Sequence, residues 1–368
     1  MLLKAALLSG DEAISAWQDW RSSADIDRMD PGSFRLLPLL YRNLVDHDVS
    51  DPLLPYLKGI YRRTWYKNQT QFHNSLPVLN TFHEAGIQTM LLKGAALTML
   101  YYKNNGIRPM TDLDVLVRTE QAPMAIDLLT KLGWSPKNRS LERLKGALPL
   151  HRHAEVFRGN AGHHVDLHWH LLFECCYEGA DDDFWNDAVS VKLRGVSTRA
   201  LNPADQLLHI CVHGVCLSGT PPFRWVADAM AVLDTAGSEV DWDRLVAQAQ
   251  QRHLTLRLKS ALCYLRDTLH APIPPVILQR LQATRISRFE RIDYRLKTRR
   301  VGLSAILLNR WFITLRHTHG FNLLQRLRAL LAALRYDWQV EHKWQLPFYV
   351  IIKGLGKIKA TLTILEKV

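Results

Sequence analysis

The chain has 368 residues, 47% of them hydrophobic, and a formal net charge of +12. This length is sufficient for about two or three domains with a sizeable core. Five cysteines without a C-x-x-C spacing argue against a disulfide framework and against a cysteine zinc site. The short apolar start runs into acidic residues without a cleavage site, and no apolar span is long enough to require a membrane crossing. We therefore expect a cytoplasmic protein without a transmembrane segment.

The positive charge is concentrated in the last third of the chain. Residues 251–368 contain 22 lysines and arginines against 6 aspartates and glutamates. A surface of one sign attracts polyanions such as nucleic acid, an anionic membrane or a phosphorylated substrate. The charge alone does not choose among these partners.

The first part of the chain is predicted to be helical up to about residue 75, from apolar residues at spacings of three and four in "ISAWQDWRS" and "FRLLPLLYRNLV". A helix over 76–85, closed by Gly86, then leads to a buried strand over 87–92. The next helix, 95–102, is entered through Lys93-Gly94. Strands begin to alternate with helices here, which indicates a new structural region.

The same alternation continues with a strand over 112–117 and a helix that has Thr119 as its N-cap and ends at Gly133. Residues 151–171 form a predicted hairpin around "GNAG". From Asn202, an N-cap followed by Pro203, the pattern is helical to the end. The predicted regions are an N-terminal helical region (1–75), an α+β core (76–200) and a basic helical domain (201–368).

Three aspartates in this core are the main candidates for chemistry. In "RPMTDLDVLV", Asp112 and Asp114 project from one face of a strand, and Asp166 interrupts an apolar strand in "HVDLHWH". Gly94 opens a helix and leaves backbone N–H groups for a phosphate. Either the carboxylates are an exposed strand end and a buried hairpin cap, or they hold Mg²⁺ or Mn²⁺ ions against phosphate.

Four neighbouring side chains are secondary candidates. Lys93 and Arg108 carry charges that could neutralise phosphate, although a lysine at a strand end is more often simply solvated. His168 and His170 share the strand face of Asp166 by alternation and are candidates for substrate contact. The alternative for both histidines is a satisfied, partly buried side chain.

Two further pairs receive a structural interpretation. His209 and His213 stand four apart on a helix, but the glutamate of H-E-x-x-H and a third ligand are missing, which argues against zinc. Arg224 and Asp228 have the i, i+4 spacing of an ion pair within a helix, with a substrate contact from Arg224 as the less favoured reading.

Three segments, "LLKGAALTMLYY", "GIRPMTDLDVLV" and "HVDLHWH", resemble the uncharacterised nucleotidyltransferase family of the polymerase-β-like superfamily. The resemblance covers about residues 76–175 and extends more loosely over "DQLLHICVHG" and "RWVADAMAVLD". It implies an α+β, mostly α, fold, in which a polymerase-β-like core with a small mixed sheet is flanked by N-terminal helices and a large helical C-terminal domain.

The resemblance also implies a chemistry: transfer of a nucleoside monophosphate from an NTP, for example ATP, to a hydroxyl, with release of pyrophosphate and with Mg²⁺ or Mn²⁺ as cofactor. The acceptor stays open among a small molecule, a sugar, a protein and an RNA. Asp112, Asp114 and Asp166 match the catalytic and metal-binding positions, with Asp166 as activator of the acceptor; Lys93, Gly94, Ala95 and Arg108 are the nucleotide-binding candidates. Ala95 stands where many members of the superfamily have serine.

The alternative function is a weak or inactive module of the same fold that binds nucleic acid or an anionic membrane through the basic third. The presence of all three aspartates favours the enzyme. A stripe in 321–335 is expected to be core with solvated arginines around it. For the alternative, the candidate contacts are Arg295, Lys297, Arg299 and Arg300 for RNA and Lys353, Lys357 and Lys359 for a membrane.

Overall fold

A computed structural model of the chain describes residues 1–137, 152–159, 162–215, 223–298, 303–318, 320–338, 340 and 342–346. The helices described are α1 Leu2–Leu7, α2 Gly10–Ser23, α3 Pro31–Phe34, α4 Leu37–Asp46, α5 Leu54–Glu84, α6 Lys93–Leu97, α7 Ala122–Lys131, α8 Asp182–Asn186, α9 Pro203–Gly214, α10 Arg224–Ala236, α11 Trp242–Gln251, α12 Thr255–Leu269, α13 Pro275–Ala283, α14 Arg288–Thr298, α15 Leu303–His317 and α16 Leu323–Asp337. A π-helical turn, Thr98–Tyr102, continues α6.

Seven strands form one mixed sheet. They are β1 Thr89–Leu91, β2 Leu113–Val117, β3 Ser135–Pro136, β4 Ala154–Arg158, β5 His164–His168, β6 Val189–Leu193 and β7 Val196–Ala200. Their order is β3-β4-β5-β2-β1-β7-β6. β2 and β5 pair in parallel, as do β1 and β7, and the other neighbours are antiparallel. The α+β class, mostly α, with a small mixed sheet, is confirmed.

Helices cover both faces of the sheet. On one face, Val115 of β2 and Leu167 of β5 join a core with Phe82 of α5 and Ile126 of α7. On the other face, Leu116 of β2 belongs to a core built largely by α9 to α13. Because side chains alternate along a strand, Asp114 shares the face of Leu116. The predicted chemistry therefore lies between the sheet and the C-terminal helices.

Helix α5 differs from the sequence expectation. It is continuous from Leu54 to Glu84, so the predicted helix start at residue 76 and the boundary near residue 75 both fall inside it. The buried positions of its middle part are largely polar, including Thr64, Asn68 and Gln71. No apolar stripe marks this stretch in the sequence, and its continuity was therefore missed.

The start of helix α7 also differs from the sequence prediction. A 3₁₀ turn, Thr119–Gln121, precedes the helix, whose N-cap is Gln121 without a side-chain cap. The hydroxyl of Thr119 instead donates to the carbonyl of Trp169 at 2.7 Å, beyond the end of β5. At α9, by contrast, the predicted cap is confirmed: the Asn202 side chain accepts from the backbone N–H of Asp205.

The C-terminal helices leave an apolar surface where a core was expected. Five apolar residues in and just before α16 are 38–66% exposed: Phe321, Leu323, Leu324, Leu327 and Leu331. The stripe predicted to be core consists of Phe321, Leu324, Leu327, Leu331 and Leu334, and of these only Leu334 is buried. Each described helix is too short or too polar to cross a lipid bilayer.

The basic candidates for RNA or membrane binding have different positions. The Lys297 side chain is buried and pairs with Glu174 at 2.8 Å, so it is not free to bind a polyanion. Arg295 is exposed. Arg299, Arg300, Lys353, Lys357 and Lys359 lie outside the described residues.

Asn68 of α5 fixes the loop that leads into β2. Its side chain is fully buried, and its amide nitrogen donates to the carbonyls of Asn105 and Arg108 at 2.7 and 2.8 Å. Its oxygen accepts from the backbone N–H of Met110 at 3.1 Å. One amide therefore satisfies three backbone groups of a loop that has no regular secondary structure.

We expect Asn68→Ala to lower the free energy of unfolding by about 1–3 kcal/mol, because buried backbone groups lose their partner. Urea denaturation measures the change. Lys67→Ala, an exposed neighbour on the same helix, should change stability by less than about 0.5 kcal/mol. Equal stability of the two variants would contradict the role assigned to Asn68.

Candidate active site

The parallel pairing of β2 and β5 brings two of the predicted aspartates together. In the register of these strands, Asp114 is the direct partner of Asp166. Both project towards the C-terminal helices, because their neighbours Val115 and Leu167 lie in the core of the other face. Asp112, two residues before Asp114, precedes the same strand. Two distant sequence segments thus supply carboxylates to one spot.

Lys93 lies between these carboxylates. Its Nζ donates to Oδ1 of Asp114 at 2.6 Å and lies 3.7 Å from Oδ2 of Asp166. Lys93 is the first residue of α6, just after β1, and has a positive φ of 41°. Such a φ is uncommon for residues other than glycine. Lys93 is therefore an ion-paired lysine of the site and not a solvated lysine at a strand end.

His168 completes the cluster from the end of β5. Its Nε2 lies 3.1 Å from Oδ2 of Asp166 and 3.3 Å from Oδ1 of Asp114. The residue is 1% exposed, and its ring packs edge-on against His153 with centroids 5.2 Å apart. Lys93 and His168 together supply the positive charge that the buried Asp114 and the partly buried Asp166 require.

The charged groups of the cluster shift one another's pKa values. Burial opposes the charge of Asp114, but Lys93 and His168 outweigh it and hold the pKa of this carboxyl well below its ordinary value. Burial also opposes ionisation of Asp166, whose pKa is nevertheless lowered by His168 and Lys93. Burial disfavours the Lys93 ammonium, yet Asp114 and Asp166 raise its pKa. Both carboxylates are therefore ionised and the lysine is protonated at neutral pH.

Asp112 behaves differently from its neighbours. Burial and the charge of Asp114 raise the pKa of its carboxyl above the ordinary value. Its closest polar partner is the hydroxyl of Thr111, at 3.2 Å. Asp112 thus has little compensating positive charge of its own, and a cation beside it would be stabilised.

Among the described residues, Asp114, Asp166 and His168 form a group that could hold a metal ion. One ligand atom from each lies within 4.8 Å of the others. The sequence predicted Asp112, Asp114 and Asp166 as metal ligands; the geometry groups the last two with a histidine nitrogen instead. Carboxylate oxygens are ligands that suit Mg²⁺ or Mn²⁺.

Arg108 lies beside the cluster in a buried ion pair. Its Nε and Nη2 donate to the two carboxylate oxygens of Asp228 at 2.7 and 2.9 Å, and the hydroxyl of Tyr102 donates to the same carboxylate at 3.0 Å. The predicted pairing of Arg224 with Asp228 is therefore replaced by a contact across 120 residues. These hydrogen bonds to Asp228 hold helix α10 against the core.

Gly94 is required by a close approach of side chains. A Cβ at this position would lie 2.6 Å from Nη1 of Arg108 and within 2.9 Å of the side chain of Met110. Arg108 cannot retreat without breaking its pair with Asp228. The absence of a side chain at Gly94 thus lets an arginine lie against the start of α6, where backbone N–H groups are free.

A polar cavity of about 250 Å³ opens over these residues. Arg35, Arg108 and Arg224 line it, together with Lys93, and Asp112 and Asp114 face the same space. An arrangement of arginines opposite carboxylates can bind a polyphosphate together with a divalent cation.

His170 does not join this group. The strand ends at His168, so alternation does not extend to it. Its Nδ1 lies 2.8 Å from Oδ2 of Asp181, and the ring lines a separate cavity beside Arg118 and Trp185. The candidate substrate contact is thus limited to His168.

Sequence reasoning did not foresee the contributions of Arg35 and His213 to the site, and it gave Arg224 little weight. Arg35 follows a short N-terminal helix and carries no local signal. A signal did exist on α9, where Gln206, His209 and His213 follow spacings of three and four on a helix whose other residues, apart from Asp205, are largely apolar. Polar residues on one face of a buried helix indicate a cavity.

The comparison with protein families agrees with this geometry. Residues 33–270 match the sequence profile of a family described as an uncharacterised nucleotidyltransferase. The chain belongs to this family. The match includes all the candidate residues named above, from Arg35 to Asp228, together with α9 and α10. The nucleotidyltransferase assignment and its α+β fold therefore agree with the resemblance seen in the sequence.

Two other comparisons add little. The crystal structure of an antigenic nucleotidyltransferase-like protein from Paracoccidioides brasiliensis is similar, with 13% sequence identity, coverage of 59% of this chain and 94% of that chain, and a TM-score of 0.35. No curated protein matches the sequence significantly.

We expect Gly94→Ala to lower the free energy of unfolding by about 1–3 kcal/mol, because the new methyl group overlaps Arg108 and Met110. Gly59→Ala is the matched control: it lies inside α5 with nothing within 4 Å of an added Cβ. That variant should gain about 0.5–1 kcal/mol. Urea denaturation of both proteins tests the opposite signs, and a stabilised Gly94→Ala variant would refute the close approach.

Proposed function

We propose that the protein transfers a nucleoside monophosphate from an NTP to a hydroxyl group of an acceptor, with Mg²⁺ or Mn²⁺ as cofactor. The observation that carries this proposal is the pairing of Asp114 with Asp166 on neighbouring parallel strands beside Asp112. Asp112 and Asp114 line a cavity together with three arginines. Paired carboxylates facing a cationic cavity fit phosphoryl chemistry better than any other use.

The arginines and the start of α6 would bind the triphosphate. Arg35 and Arg224 line the polar cavity without a described carboxylate partner at salt-bridge distance, and Nη1 of Arg108 points towards Gly94. The backbone N–H groups at Gly94 and Ala95 add donors that require no side chain, which offsets the hydroxyl that Ala95 lacks. A triphosphate with about four negative charges would be neutralised by these groups.

Lys93 would change partner during binding. Its ammonium lies between Asp114 and Asp166, where a divalent cation would bind. The arrival of a nucleotide offers Lys93 phosphate oxygens in place of carboxylates, so its charge is never left unpaired. Bound Mg²⁺ would neutralise phosphate charge and promote ionisation of the acceptor hydroxyl.

Asp166 would activate the hydroxyl group of the acceptor. The transfer forms a bond between the acceptor oxygen and the α-phosphorus and breaks the bond from that phosphorus to the bridging oxygen of pyrophosphate. The proton of the hydroxyl passes to the ionised carboxylate of Asp166. His168, within 3.1 Å of this carboxylate, orients it and balances its charge before the reaction.

The pair Asp112→Asn and Asp114→Asn should reduce transfer by more than about 100-fold, because two ligands for the cation are lost. The folded state should persist, since asparagine keeps the volume and an acceptor oxygen for Lys93. Transfer is measured with each labelled NTP, Mg²⁺ or Mn²⁺, and a cell lysate as the source of acceptors, and circular dichroism checks the fold.

The chain provides a matched control for this experiment. Asp25 and Asp27 have the same D-x-D spacing in an exposed loop. Their replacement by asparagine should leave transfer unchanged. Transfer that survives in the Asp112 and Asp114 variant, or that fails equally in both variants, would show that the assigned carboxylates are not the site.

Asp166→Asn should lower turnover by about 100-fold or more while nucleotide affinity changes little, because the residue is assigned to the acceptor. Calorimetry with a non-hydrolysable NTP analogue gives the affinity, and the labelling assay gives the turnover. A parallel loss of affinity and turnover would reassign Asp166 to nucleotide binding.

A further inference from the structure

A second cavity, of about 400 Å³, lies behind the polar cavity, between the sheet and helices α9, α10 and α12. The two cavities share Lys93, Arg108, His213 and Arg224 along their borders. The walls of the inner cavity are largely apolar, with Leu97, Leu171, Leu172, Ile210, Val212 and Trp225 among them. The inner cavity is thus contiguous with the space assigned to the triphosphate but differs from it in chemistry.

Gln206 is the exceptional residue of this inner wall. It is fully buried on α9 and lines the cavity. Neither its amide oxygen nor its amide nitrogen has a hydrogen-bond partner among the described residues. Burial of an amide without partners is unfavourable, so its place in an apolar wall indicates that a ligand satisfies it.

The histidines beside Gln206 add no charge to the wall. Burial lowers the pKa of His213 to about 4. Burial, helped by His213, lowers the pKa of His209 well below its ordinary value. Arg257 of the wall is paired with Glu174 at 2.7 Å, and Arg224, which has no described carboxylate partner, lies on the border with the polar cavity. The inner cavity therefore suits an uncharged ligand with few polar groups.

We propose that the inner cavity receives the base of the nucleotide and that Gln206 reads the edge of adenine, which makes ATP the preferred donor. This inference rests on the proposed nucleotidyl transfer. The side-chain amide offers one donor and one acceptor side by side, and adenine presents the complementary pair at N6 and N7. The triphosphate would then extend through the shared border into the polar cavity.

The apolar wall distinguishes among the bases. Once the side-chain amide of Gln206 has paired with adenine, few polar groups of that base remain without a partner. Guanine, cytosine and uracil can also pair with a side-chain amide, but each then leaves one further exocyclic amino or carbonyl group against the apolar wall, and a buried unpaired group reduces affinity. A sugar acceptor would bring several hydroxyls and fit this wall less well than a planar base does.

The test compares four NTPs and inorganic tripolyphosphate, each bound to the full-length protein with Mg²⁺ and measured by calorimetry. We expect ATP to bind at least about 10-fold more tightly than GTP, CTP or UTP. Gln206→Met, which keeps the shape of the side chain, should weaken ATP by about 10-fold or more and leave tripolyphosphate unchanged.

The results separate this inference from the proposed function. If tripolyphosphate and all four NTPs bind equally well to the native protein, or if Gln206→Met keeps full affinity for ATP, the base assignment is overturned and nucleotide binding stands. If neither tripolyphosphate nor any NTP binds, the proposed function falls and the inference falls with it.

The melting temperature distinguishes a ligand-binding role of Gln206 from a structural role, because the two roles predict changes of opposite sign. Gln206→Met removes a buried amide without partners, so the ligand-free protein should melt at a higher temperature. Gln248→Met is the control: this buried glutamine bonds to Asp183 and Arg252 and does not line the cavity. It should melt lower and keep its affinity for ATP. A lower melting temperature for Gln206→Met would overturn the inference.

Discussion

The parallel pairing of β2 with β5 is the constraint on which the rest of the site depends. It sets Asp114 against Asp166 in a region that helices cover, where two negative charges cannot remain without compensation. Lys93 and His168 supply that compensation at distances of 2.6 to 3.7 Å. In the proposed function, the same charges that hold the cluster together would bind a cation and a polyphosphate, because each partner can be exchanged for another of the same sign.

A second buried pair, Arg108 with Asp228, links this cluster to the helical part of the chain. It is bidentate and almost fully buried, so removing either partner would leave an uncompensated charge. The pair orients Arg108 so that its third nitrogen lies against Gly94. Helix α10 and the strand-to-helix turn are thereby held in one arrangement. The width of the polar cavity is fixed by charge pairing and not by apolar packing alone.

Local patterns in the sequence predicted the D-x-D strand and the hairpin with Asp166, because alternation and turn residues act over a few positions. They also predicted the glycine turn at Gly94. They did not predict that α5 is continuous, since its middle buries polar side chains. The partner of Asp228 lies 120 residues away and leaves no periodic signal. Contacts of that range are decided by tertiary packing, which spacing rules do not describe.

Helix α9 contains polar side chains that line the inner cavity, although their burial is unfavourable for the stability of the fold. It is buried on most sides, and an entirely apolar helix would pack there at lower cost. Instead Gln206, His209 and His213 occupy the face towards the cavity. Of these, Gln206 has neither charge nor a described partner to compensate its burial. Leucine or methionine at this position would be more stable in the absence of a ligand, and the proposed pairing with a base would offset the unfavourable burial of the amide.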